Sequence, residues 1–205
     1  RFTNHFASDA PCLPSRSALF NGRFGIHTGV VNHGGTNADL RIEGADRGFL
    51  NAARRAPWME RMRRAGFHTV SVSPFADRHS AWWFNHGFDE TYNSGGRGMD
   101  SAEDVYPLAA DWLERRGAQD NWFLQVNFWD AHTPYRSPRD YGDPFANEPL
   151  PAWHTEEVRA RNWESFGPHS ARESQNITTE PTPLSRKFPW NPLQIASMDD
   201  YRTWI

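Results

Sequence analysis

Residues 10–22 read Ala-Pro-Cys-Leu-Pro-Ser-Arg-Ser-Ala-Leu-Phe-Asn-Gly, and this stretch predicts a helix that begins at Cys12. Pro14 suits the first helical turn, where a backbone N–H has no partner within the helix, and Gly22 suits the position just beyond the helix end. The free N–H groups and the dipole at the helix start favour negative charge beside Cys12. Arg16 lies one turn further along the same face. The stretch therefore predicts a small cationic pocket that suits a tetrahedral oxyanion.

The composition of the whole chain limits the classes of protein to which it can belong. Its 205 residues are enough for one sizeable α/β domain with a buried core. A formal net charge of −3 argues against a nucleic-acid partner, and the single cysteine excludes an internal disulfide framework and any multi-cysteine metal site. No apolar stretch has the length of a membrane span. The compartment, cytoplasmic or periplasmic and secreted, stays open.

A parallel α/β unit is predicted downstream of the cysteine helix. Residues 57–66 read as an amphipathic helix closed by Gly66, and residues 67–73 alternate as a strand does. Ligands gather at the carboxyl ends of such strands, so Arg78 and His79, which follow this one, are predicted to meet an anionic substrate. The glycine-rich residues 22–47 predict a loop. Its His27 and His33 are more typical of exposed loop histidines than of site residues.

A second helix–strand pair follows. Ser101 is a candidate N-cap with Asp104 three residues later, and an apolar stripe predicts a helix that runs to Arg116. The apolar residues 121–128 predict a strand at the buried centre of a parallel sheet. That strand would deliver residues 129–135 to the sheet edge that carries Cys12 and Arg78.

Three blocks of the chain are similar to the sulfatase family. Residues 12–16, Cys-Leu-Pro-Ser-Arg, resemble the family signature C-x-P-S-R, and residues 127–135, Asn-Phe-Trp-Asp-Ala-His-Thr-Pro-Tyr, resemble its N-F-W-D-P-H-x-P-Y stretch. Residues 87–89, Gly-Phe-Asp, form a looser third block. The resemblance covers most of residues 1–145. It implies an alkaline-phosphatase-like α/β fold, with a mostly parallel sheet sandwiched between helices.

The same resemblance implies a chemistry for named residues. Cys12 would be oxidised by a formylglycine-generating enzyme to formylglycine, whose hydrated aldehyde attacks the sulfur of a sulfate monoester. One formylglycine oxygen would bind a divalent cation, Ca²⁺ or alternatively Mg²⁺. Arg16 would hold the attacked group, and His132 would be the general acid that protonates the leaving oxygen. The expected substrate is a small sulfate ester or a sulfated sugar.

The chain departs from the family pattern at two places. The lysine and histidine of the family's G-K-W-H block fall on Pro74 and Ala76, so Arg78 and His79 are predicted to bind the substrate in their place. The family's Asp-Asp pair and its D-H-G or D-N-G block, which supply most metal ligands, do not occur at matching positions. We therefore expect a chain that is truncated at both ends and inactive as it stands.

Two segments and three functions are consistent with these observations. Residues 1–145 are predicted to be the central part of the catalytic domain. Residues 146–205 are predicted to be an irregular substrate-side segment, with a short helix near residues 156–163 and the start of another at the end. The favoured function is sulfate-ester hydrolysis. The alternatives are a phosphonate monoester or phosphodiester hydrolase of the same superfamily and a non-catalytic relative that binds anions or glycans.

Overall fold

A computed structural model describes residues 4–33, 56–130, 132, 142 and 147–164 of the chain. The chain divides into two units, residues 1–128 and residues 129–205. The predicted division between residues 145 and 146 stays a prediction. The predicted helix start at Ser197 lies outside the described residues.

The first unit is built on three parallel strands in the order β2-β1-β3. β1 is His68–Val72, β2 is Glu90–Tyr92 and β3 is Trp122–Val126. Val70 of β1 lies opposite Glu90 on one side and Leu124 on the other. The parallel sheet and its flanking helices confirm the predicted α/β class.

The strand at the centre of this described sheet is β1, whereas the sequence predicted that residues 121–128 would be central. Four of the five β1 residues are buried, and every β3 residue is half-buried. The small and β-branched Thr69, Val70, Ser71 and Val72 fit between two neighbouring strands and beneath the helices. The apolar run of β3 begins with two large aromatic side chains that are only partly covered.

Six α-helices and one 3₁₀ helix lie in the described residues. They are α1 Cys12–Asn21, α2 Gly25–Thr28, α3 Trp58–Arg64, α4 Phe75–His79, the 3₁₀ helix Trp82–Asn85, α5 Ala102–Arg116 and α6 Glu156–Glu164. α1 ends before Gly22, whose backbone is left-handed, as predicted. α6 occupies the predicted position in the second unit. None of these helices is long and apolar enough to cross a membrane.

Two short helices were not predicted. α2 lies in the segment 22–47 that was predicted to be a loop, and the part of that segment beyond residue 33 lies outside the described residues. α4 occupies the five residues that follow the turn at the end of β1. Neither helix is long enough to carry a repeating apolar pattern, so their sequences contain no signal of that kind.

Helix α5 begins at the predicted cap and packs on the sheet. The Asp104 carboxylate accepts hydrogen bonds from the backbone N–H and the hydroxyl of Ser101, at 2.8 and 2.9 Å. From the predicted stripe, Val105, Ala109 and Trp112 are buried, while Leu113 is 41% exposed. Val105 and Ala109 form a buried cluster with Val72 of β1. This packing holds the carboxyl end of β1, and α4 begins three residues after that end.

Candidate active site

Cys12 is the first residue of α1, and its thiol contacts a histidine. The Sγ atom of Cys12 lies 2.9 Å from Nε2 of His33, and the backbone N–H of Leu13 donates to the same nitrogen at 3.4 Å. Because a backbone N–H can only donate, Nε2 acts as an acceptor in the second contact. His33 therefore presents a proton acceptor at the cysteine side chain.

His33 is the site residue that the sequence did not predict. Both His27 and His33 were expected to be exposed loop histidines. His27 is exposed but belongs to α2, whereas His33 is half-buried against Cys12. Two buried residues anchor the preceding segment: Val30 is fully buried, and the Thr28 hydroxyl accepts a hydrogen bond from Ser17 of α1 at 3.1 Å. This packing brings the chain back beside the start of α1.

Arg16 lies one turn along α1, as predicted, and its position is fixed by an aromatic ring. The guanidinium carbon lies 4.3 Å from the centroid of the Phe75 ring of α4. Such stacking holds the planar guanidinium in one orientation. Burial lowers the pKa of Arg16, and the neighbouring Cys12 raises it in part, while the group remains a cation at any physiological pH. Arg16 therefore supplies a fixed positive charge near Cys12.

Arg78 and His79 belong to α4, the short helix that follows β1. The His79 ring lies 5.1 Å from the His33 ring and 4.7 Å from the Phe75 ring, measured between centroids. The positive charge of Arg78 reaches Cys12, where it favours the thiolate. The structure thus brings both predicted substrate-binding residues to the side of the site formed by Phe75 and His33.

The thiol of Cys12 is not a ready nucleophile in this environment. Burial raises the pKa of the Cys12 thiol above its ordinary value of 9.0. Backbone hydrogen bonds and the charges of Arg16 and Arg78 oppose that rise in part. Reactive cysteines in enzymes have lowered pKa values, whereas the pKa of Cys12 is raised. The positive charges around Cys12 therefore suit a bound anion better than they suit activation of the thiol.

The two positions where the family's lysine and histidine would stand hold no functional side chain. Pro74 directly precedes α4, and Ala76 is 4% exposed within the core. The backbone N–H of Phe75 donates to the hydroxyl of Ser73 at 3.1 Å, which closes the turn out of β1. Arg78 and His79, about half a turn later on the same helix, are the basic residues of this segment.

His132 belongs to the second unit. Its ring stacks on that of Trp129 with centroids 4.9 Å apart, and its backbone N–H donates to the Trp129 carbonyl at 2.9 Å. Trp129 is 3% exposed, so the histidine is supported by a buried ring. The role of general acid stays a prediction for His132.

Among the described residues, no three histidine, cysteine, aspartate or glutamate side chains come together as a metal site would need. His33 beside Cys12, Arg16 one helical turn away and His79 beside His33 are basic side chains that suit an anion.

The comparison with known proteins identifies the family of the chain. The family model described as Sulfatase matches residues 1–180, which is most of the chain and includes all the residues discussed above. No curated protein and no solved structure matches the chain. A cysteine at the start of a helix, an arginine one turn later and a cluster of basic side chains around them lie within the matched region. The chain belongs to the sulfatase family.

Proposed function

We propose that this protein hydrolyses a sulfate monoester through a formylglycine made from Cys12. The observation that carries the proposal is the arrangement of basic groups around the first residue of α1, with His33 at 2.9 Å from the thiol and Arg16 on the next turn. Helix N–H groups, a guanidinium and imidazoles are the donors that bind a tetrahedral oxyanion. The substrate class is a small aryl, choline or sugar sulfate.

In this proposal the arginines bind the sulfate group and the histidines transfer protons. When formed from Cys12, formylglycine in its hydrated form would supply a hydroxyl group as the oxygen nucleophile. Arg16 and Arg78 hold the negative oxygens of the sulfate group, and stacking on Phe75 keeps Arg16 in place. Nε2 of His33 accepts a proton at the position of the Cys12 side chain. His132 is proposed to protonate the leaving oxygen.

A thiolate enzyme is the competing interpretation of the contact between Cys12 and His33. Cysteine–histidine pairs of this kind activate thiols in other hydrolases. The raised pKa of the Cys12 thiol opposes that use, because a thiol nucleophile needs a lowered pKa. The proposal of a modified cysteine accounts for the same contact without requiring a thiolate.

Sulfate and phosphonate esters are both compatible with a site that contains two arginines. Relative values of kcat/KM on an aryl sulfate and on an aryl phosphonate, measured with the same full-length protein, separate the two activities. A larger value on the sulfate is expected. If the modified protein binds both esters and cleaves neither, it is a non-catalytic relative that binds anions.

A divalent cation, Ca²⁺ or Mg²⁺, is proposed as the cofactor because the chain belongs to the sulfatase family. Its ligands would come in large part from residues other than those gathered around Cys12. Chelation is expected to abolish hydrolysis by the full-length protein, and added Ca²⁺ to restore it. The proposal of a metal cofactor is contradicted if activity in a metal-free buffer equals that of the untreated protein.

Peptide mass mapping of the protein from its native host tests the central step. The peptide that carries Cys12 is expected to show a mass lower by the difference between a thiol and an aldehyde. A hydrazine probe that labels aldehydes should react with the same peptide, and a Cys12→Ser variant from the same cells is the matched control. An unmodified thiol, from cells with a working modifying enzyme, would overturn the formylglycine mechanism.

A further inference from the structure

The glycine-rich loop after β2 lies against the side chain of Arg78. Gly98 is buried, with a backbone φ of +86°. A methyl group added at position 98 would lie 2.8 Å from both Cγ and Nε of Arg78, and closer still to Cδ. These distances leave no room for a side chain, so the aliphatic stem of Arg78 crosses directly over the Gly98 backbone.

A buried carboxylate holds this loop in shape. Asp100 is 1% exposed, and its two oxygens accept hydrogen bonds from the backbone N–H groups of Gly96 at 3.0 Å and Gly98 at 2.9 Å. The hydroxyl of Ser94 donates to the same carboxylate. Asp100 directly precedes Ser101, the cap of α5, so the loop is attached to a helix that packs on the sheet. Gly98 is therefore a fixed surface beneath Arg78.

We infer that Gly98 and Asp100 are positioning residues that hold Arg78 over the anion site at Cys12. Arg78 is an exposed side chain with many rotamers on the helix whose next residue, His79, lies 5.1 Å from the ring of His33, the histidine in contact with Cys12. A rigid floor beneath the stem restricts those rotamers before any ligand arrives, so less conformational entropy is lost when the anion binds. This inference rests on the proposed function in that the anion is a sulfate group.

The chain offers a matched pair of glycines for the test. Gly95 lies in the same loop with a φ of +81°, and a methyl group there would meet nothing within 4 Å. Gly98→Ala and Gly95→Ala therefore impose a similar backbone strain, but only the first displaces Arg78. Each variant is made in the full-length protein with Cys12 unmodified, and the affinity for inorganic sulfate is measured by calorimetry.

Gly98→Ala is expected to weaken sulfate binding about tenfold, which corresponds to the loss of one charged hydrogen bond, while Gly95→Ala leaves the affinity unchanged. Arg78→Ala should weaken binding to a similar extent. In the Arg78→Ala background, Gly98→Ala should have no further effect, because its effect is transmitted through that side chain. Thermal unfolding of both glycine variants verifies that the fold is retained.

Three results would overturn the inference: equal losses from Gly98→Ala and Gly95→Ala, a loss from Gly98→Ala that persists without Arg78, or no sulfate binding by the wild-type protein. The measurement needs neither formylglycine nor turnover. A wild-type protein that binds sulfate in this pattern and hydrolyses no ester would therefore contradict the proposed function alone.

Discussion

The Nε2 atom of His33 lies 2.9 Å from the Sγ atom of Cys12, although 21 residues separate them in the sequence. A proton acceptor at this position affects the chemical step more than it affects binding. His33→Gln is therefore expected to lower kcat of the full-length enzyme about 100-fold with little change in KM, which is the lower end of the usual contribution of a general base.

His27→Gln is the matched control for this prediction, because His27 is an exposed histidine of the same segment. Its kcat and KM should equal those of the wild-type enzyme. If His33→Gln retains the wild-type kcat, His33 acts only in packing, and the proton acceptor has to be another residue.

The Arg16→Lys variant tests whether the site needs a planar cation that is held in one orientation. Arg16→Lys keeps the positive charge but loses the planar fork and its stacking on Phe75, which lies 4.3 Å away. We expect kcat/KM for a sulfate ester to fall about 100-fold, as it does when one donor to a developing oxyanion is removed. Steady-state kinetics of the two proteins measure this change.

Phe75→Leu separates the ring from the charge. That variant keeps Arg16 and removes its stacking surface, along with the ring contacts to His79 and Phe84. A smaller loss is expected from the lost stacking, about 0.5–1 kcal/mol in the free energy of activation. A Phe75→Leu variant as impaired as Arg16→Lys would show that orientation by the ring outweighs the guanidinium fork itself.

Phe84 joins the helix that carries Cys12 to the helix that carries Arg78. Its ring is 1% exposed and packs 4.7 Å from Phe20 of α1 and 4.9 Å from Phe75 of α4, measured between centroids. Phe84→Ala is expected to lower the free energy of unfolding by about 3–5 kcal/mol, because it leaves a cavity among aromatic rings. Denaturant unfolding measures the change, and Phe84→Leu, which fills most of that volume, should cost clearly less.

Glu60 makes the stability of the fold depend on pH in the acidic range. Its carboxylate accepts hydrogen bonds from Arg64 at 2.9 Å and from Arg63 at 3.0 Å, and these contacts hold the pKa of Glu60 below its ordinary value of 4.5. A lowered folded-state pKa stabilises the fold at pH values above the unfolded-state pKa. That stabilisation is lost as the pH falls through the folded-state pKa.

The wild-type protein should therefore be more stable than Glu60→Gln by a constant margin near neutral pH, and the margin should shrink as the pH falls below about 4.5. Urea unfolding at a series of pH values measures it. Glu114→Gln, a change at an exposed glutamate of α5, is the control. A margin that stays constant down to strongly acid pH would contradict the assignment to Glu60.

The parts of the fold that sequence predicted are those with local signals. The cap at Ser101 with Asp104, the stripe of α5 and the glycine after α1 each lie within one element, and the structure has them where they were expected. The pairing of Arg16 with Cys12 followed from one helical turn, and the position of Arg78 followed from the end of β1. These features depend on residues that are close in the chain.

The features that the sequence did not predict depend on contacts between residues that are far apart in the chain. His33 reaches Cys12 because the segment that precedes it is anchored by the buried side chains of Thr28 and Val30. The central place of β1 in the described sheet depends on which strands pair with it, and the apolar content of residues 121–128 does not reveal that pairing. The support of Arg78 by Gly98 depends on a close approach between two elements, which a glycine in a loop does not reveal.

The central position of β1 also has a consequence for the order in which the protein folds during synthesis. The residues that pair between β1 and β2 are 20 apart in the chain, and those that pair between β1 and β3 are 54 apart. Closing the chain to pair β1 with β2 therefore costs about 0.9 kcal/mol less in chain entropy than closing it to pair β1 with β3. Helix α4, which carries Arg78, lies between β1 and β2 in the chain, and α1 precedes both strands. The basic groups around Cys12 can thus assemble on the ribosome before β3 has been made.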